Sequence, residues 1–122
     1  QFNLDWVESN LAGGEPAANV QATLLALSAT SIASAIERWC GMPEELAVCG
    51  GGAHNSTLMK HLSLLLPNTR IITSDVLGIG VDWVEAAAFA WLARQNLMGL
   101  PGNLPAVTGA RGERILGAVY PR

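Results

Sequence analysis

The stretch Cys49-Gly50-Gly51-Gly52-Ala53-His54-Asn55 sets three glycines between an apolar run and a polar cluster. Glycine is less favourable than alanine in a regular element by about 0.5–1 kcal/mol, so a triple run at a strand end asks for a geometric reason. The residues alone leave two open. One is a tight strand-to-helix turn needing positive φ. The other is a backbone without Cβ atoms, on which a ligand, usually a nucleotide, lies at the carboxyl end of a strand. Asn55 has two compatible uses, as cap of the next helix or as hydrogen-bond partner of a base. His54 has no second histidine and no carboxylate at ligand spacing, and reads as a loop residue beside that ligand rather than a metal ligand. Glu85 falls in the first turn of a helix-like stretch, where an acid complements the helix dipole. Cys40 and Cys49 form no CxxC pair, and no Ser/His/Asp or Cys/His nucleophile arrangement is evident. Thr23 and Ser28 read as buried hydroxyls bonded to backbone.

These residues need elements to hold them. Apolar positions 2, 4, 6, 7 and 11 fit a short opening helix that stops at Gly13-Gly14. From Ala17 to Trp39, Val20, Leu24, Leu27, Ile32, Ile36 and Trp39 recur among alanines, which predicts a long and mostly buried helix closed by Gly41 and Pro43. Leu46–Cys49 is a continuous apolar run, as in a strand covered on both faces. Asn55, Ser56 or Thr57 caps a helix with Leu58, Met59, Leu62, Leu65 and Leu66 on one side, ending before Pro67. Arg70–Thr73 is a second strand, Ser74–Gly80 a loop, and Asp82–Met98 a further helix with Asp82 as N-cap. The glycine- and proline-rich tail from Gly99 holds one more candidate strand, Ile115–Tyr120. The order predicts an α/β layer with a small parallel sheet flanked by long helices. So few strands leave an exposed edge, and further strands are expected upstream of Gln1.

The 122 residues amount to one domain's worth, with 50% hydrophobic and 14% charged residues and a mean hydropathy of +0.30. That is apolar for a soluble domain, which predicts surface covered by another domain or subunit. The four tryptophans, Trp6, Trp39, Trp83 and Trp91, sit at helical positions as core or interface anchors. A net charge of −3 with seven scattered Lys and Arg argues against nucleic acid as a partner. Val20–Ala35 and Val84–Ala93 are broken by polar residues and fall short of the roughly 20 residues a bilayer span needs, so no membrane is expected. Two cysteines without a framework predict buried, reduced thiols and a cytoplasmic location. A dinucleotide-binding domain is disfavoured, because the glycine block lacks GxGxxG spacing and an acid at the end of the next strand.

A strand ending Val48-Cys49-Gly50-Gly51-Gly52-Ala53, followed by Asn55 and a helix, resembles the adenosine motif of the superfamily uniting sugar kinases, actin and the heat-shock chaperone ATPases. Together with Gln21-Ala22-Thr23-Leu24, DWVEAAAFAWLA at Asp82–Ala93, GLPGNLPAVTGA at Gly99–Ala110 and ILGAVYP at Ile115–Pro121, it makes the chain similar to the C-terminal part of the anhydro-N-acetylmuramic acid kinase family. The resemblance covers nearly the whole chain. It implies part of the second lobe of a two-lobed, ribonuclease-H-like (actin-like ATPase) kinase that closes over ATP, with Mg2+, and sugar. The implied reaction opens the 1,6-anhydro ring of anhydro-N-acetylmuramic acid with water and phosphorylates O6, giving N-acetylmuramic acid 6-phosphate in cell-wall recycling. Its catalytic aspartate and first phosphate loop belong upstream of Gln1, so the chain alone is expected to be inactive and to have the missing N-terminal part as its partner. A homodimer is also implied. On this resemblance Gly50, Gly51, Gly52, Ala53 and Asn55 lie against adenosine, and Glu85 is a catalytic candidate on the sugar side. A non-catalytic nucleotide-binding or dimerisation module is the alternative.

Overall fold

The computed structural model describes residues 3–120 of the chain. Phe2, the first apolar position of the opening helix, and Pro121, the end of ILGAVYP, lie outside the described residues. The chain divides into two compact units, Gln1–Leu46 with Asn55–Ile71, and Ala47–His54 with Ile72–Arg122.

The first unit is helical. α1 (Leu4–Ser9) is capped by Asn3, whose side chain accepts from the Trp6 N–H at 2.9 Å. The loop after it is held by Glu15, whose carboxylate accepts from the N–H groups of Ala12 and Gly13 at 2.8 and 2.9 Å. Backbone N–H groups, its own first, keep the Glu15 carboxyl below the usual carboxylate range. α2 (Ala17–Cys40) matches the periodic run. Only Ala29 and Ala33 are buried along it, so the expectation of a mostly buried helix does not hold for this chain. α2 contacts α3 (Ser56–Leu65), whose buried residue is Leu62, and Leu66 just beyond α3 is fully buried. At 24 residues α2 is long and apolar enough to cross a membrane, so the expectation that it is too short is also corrected. Thr23 and Ser28 do bond backbone, donating to the Asn19 and Leu24 carbonyls at 2.8 and 2.9 Å, but from exposed positions.

β1 (Glu45–Val48) and β2 (Arg70–Thr73) pair as a two-stranded parallel sheet, and each strand runs from the first unit into the second. β1 starts one residue before the apolar run, at Glu45, whose side chain pairs with Arg70 across the sheet. The Arg70 N–H donates to the Glu44 carbonyl at 2.9 Å, and the Thr69 hydroxyl to that of Pro43 at 2.7 Å.

The second unit carries short 3-10 helices at Gly50–His54 and Ser74–Leu77, the latter where a loop was expected. They are followed by α4 (Val84–Leu97) and by α5 (Pro105–Thr108), which starts with proline where its missing N–H costs no bond. The strand expected at Ile115–Tyr120 is absent. Side chains take up the tail's backbone groups instead: Asn96 donates to the Leu116 carbonyl at 2.8 Å, and Asn103 accepts from the Arg114 N–H at 2.6 Å. The tryptophans are not core. Trp39, Trp83 and Trp91 are 77%, 68% and 50% exposed, and Trp6 37%. Cys40 and Cys49 are free and exposed rather than buried.

Few side chains are fully enclosed, so each carries much of the packing. Leu62→Ala is expected to destabilise the chain by about 2–5 kcal/mol. Leu64→Ala, on the exposed side of the same helix, should change stability by no more than about 0.5 kcal/mol. Urea unfolding of the two variants checks this, and equal effects would show that the enclosure of Leu62 carries no weight.

Candidate functional site

The chain leaves β1 through Cys49 and turns at Gly50, whose φ of +68° lies in the left-handed region that suits glycine. The Gly50 N–H donates to the Val81 carbonyl at 2.8 Å, which ties the turn to the segment entering α4. Gly51 differs. Its φ is not positive, and a Cβ built on it would meet nothing within 4 Å. Neither backbone conformation nor crowding within this chain calls for glycine there. The tight-turn reading accounts for Gly50 and does not account for Gly51.

Gly50 and Gly51 open onto a cavity of about 470 Å³ whose other walls include Cys49, Asp82 and Glu85. Glu85 is exposed in the first turn of α4. The structure therefore brings two of the glycines and Glu85 together, although 34 positions separate Gly51 from Glu85 (85 − 51). Gly52 and Ala53 continue the 3-10 helix, partly buried, and do not line this cavity. Asn55 caps α3: its Oδ1 accepts from the Leu58 N–H at 3.0 Å. It lines a different cavity, within the first unit, with Gln21, Thr57 and His61.

Asp82 was expected to cap α4. The N-cap is Trp83, with no side-chain cap bond, and the Asp82 carboxylate goes instead to His54, Oδ1 to Nε2 at 2.9 Å. His54 thus has a carboxylate partner that its neighbourhood in the sequence does not show, 28 residues away. Asp82 is the cavity residue that sequence reasoning missed as a site residue, because its position suited a cap equally well.

The family model described as anhydro-N-acetylmuramic acid kinase matches residues 1–122. The chain belongs to the anhydro-N-acetylmuramic acid kinase family. Among its relatives, the anhydro-N-acetylmuramic acid kinase of Nitrosomonas europaea is 54% identical over 120 residues, covering 98% of this chain and 33% of the relative. That of Thiobacillus denitrificans is 56% identical over 125 residues, covering 99% and 33%. That of Pseudomonas fluorescens is 53% identical over 122 residues, covering 98% and 34%. The chain spans about a third of the length of the curated relatives it matches.

The two glycines should separate by substitution. Gly50→Ala forces a side chain into the left-handed region and is expected to destabilise the chain by about 1–2 kcal/mol. Gly51→Ala should leave stability within about 0.5 kcal/mol of the parent. Thermal unfolding of both variants decides it, and a large loss at Gly51 would return that residue to a purely structural role.

Proposed function

We propose that this chain supplies part of the nucleotide-binding, ribonuclease-H-like lobe of an ATP-dependent kinase acting on anhydro-N-acetylmuramic acid. The observation that carries the reading is Gly51, a glycine with open space above it on a cavity shared with an exposed carboxylate. A missing Cβ lets a flat, uncharged surface such as adenosine approach the backbone closely. Gly50 and Gly51 form that shelf. Two parallel strands with flanking helices are what a portion of such a lobe contributes.

Glu85 serves the sugar. A carboxylate held by the rigid start of α4 binds hydroxyls and steadies positive charge developing at the anomeric carbon as the anhydro ring opens. Water adds at that carbon, O6 is released from it, and O6 takes the terminal phosphoryl group of ATP. The base that activates water comes from outside this chain. Mg2+ arrives with the nucleotide's phosphates. The free thiols suit a reducing, cytoplasmic setting. The exposed tryptophans suit contact with the rest of the enzyme or with a second copy, and α2 is covered by protein rather than lipid, as its contact with α3 favours.

Cys49 lines the cavity and reports on it. In full-length enzyme carrying Cys40→Ser, ATP should slow the alkylation of Cys49 by iodoacetamide, and the sugar alone should protect less. Alkylation at the same rate with saturating ATP would contradict the nucleotide reading. For the sugar side, Glu85→Gln should lower kcat by roughly 10²–10³-fold while leaving ATP affinity intact. If the acid only complements the helix dipole, turnover would survive and stability fall by about 0.3–1 kcal/mol.

A further inference from the structure

Both ends of the 3-10 helix that follows β1 are fastened to consecutive residues before α4. Gly50, its first residue, donates its N–H to the Val81 carbonyl at 2.8 Å, and His54, its last, meets the Asp82 carboxylate at 2.9 Å. The first tether is backbone and survives most substitutions. The second depends on two side chains. Asp82 also lines the cavity between Gly51 and Glu85, and its carboxylate turns to His54 rather than to an N–H of α4. No side-chain cap bond holds the start of α4, and the His54–Asp82 contact is a polar side-chain tether between the turn and the segment entering it.

We propose that His54 and Asp82 are positioning residues: together they fix the separation of the glycine shelf from the start of α4, and so the width of the site into which nucleotide and sugar must fit. The proposal rests on the nucleotide reading of that cavity. Neither residue need touch a reacting atom. A small displacement of a binding wall is enough to spoil alignment. Because both side chains are well exposed, at 60% and 67%, their removal should leave the fold intact and act on the geometry of the site.

The test uses full-length enzyme with Cys40→Ser as the parent, and the variants His54→Ala, Asp82→Ala, the double variant and His54→Gln. Gln keeps a side-chain N–H at about the reach of Nε2. Iodoacetamide alkylation of Cys49 without nucleotide reads the cavity directly, whatever it binds. It should quicken about 2- to 5-fold in either alanine variant, the scale an exposed side-chain hydrogen bond carries. The double variant should match the singles, and His54→Gln should return to the parent rate. KM for ATP should rise by a similar factor in the alanine variants, with kcat changed less. Unaltered Cys49 alkylation in folded His54→Ala and Asp82→Ala overturns the proposal, as does a double variant whose effects simply multiply. Quickened alkylation with an unaltered KM for ATP would instead overturn the nucleotide reading and leave the tether standing.

Discussion

The hydrogen bond from the Gly50 N–H to the Val81 carbonyl is the contact on which the site depends. The donor is Gly50's own N–H, and the chain turns at that same residue, where glycine accepts a left-handed φ just after the strand. With that bond in place, Cys49, Gly50 and Gly51 form one wall of a cavity, and the residues after Val81 form the other. Val81 is buried, so the acceptor is held by packing. The opposite wall then extends into α4, whose rigid first turn presents Glu85. A regular helix holds a side chain more firmly than a loop does, because its backbone hydrogen bonds fix where the side chain starts.

Much of this was legible in the sequence, for reasons tied to particular residues. The periodic run from Val20 to Trp39 and the Arg70–Thr73 strand follow from spacing and β-branching, and they appear where those signals put them. Burial was misread wherever it depended on what packs beside a residue. The same apolar stripe on α2 reads as core whether or not a partner covers it, and in this chain only Ala29 and Ala33 are enclosed. The core half of the tryptophan reading and the burial of Cys40 and Cys49 failed for the same reason. The Ile115–Tyr120 strand failed differently: the Asn96 amide claims the Leu116 carbonyl, a backbone group that a strand would need for pairing.

The site was half legible. A triple glycine after an apolar run announced a turn or a ligand shelf, and the structure shows the turn at Gly50 and open space beside Gly51. Glu85 was visible as a first-turn acid, but its sharing a cavity with the glycines is a tertiary fact. Asp82 was hidden because an acid just before a helix has a sufficient local explanation as a cap. Its partner His54 is far off in sequence, and no spacing rule connects them. Membership of the anhydro-N-acetylmuramic acid kinase family gives these residues a common context, while the chain itself spans about a third of its relatives' length.

The central claim is that Gly51 is glycine because a nucleotide lies on it. A crystal structure of the full-length enzyme with bound ADP tests this most directly. The expected result is adenosine in van der Waals contact with the Gly51 Cα, at about 3.5–4 Å, in the cavity that Glu85 also lines. A nucleotide bound elsewhere, with the space above Gly51 filled by a side chain from the rest of the protein, would contradict it.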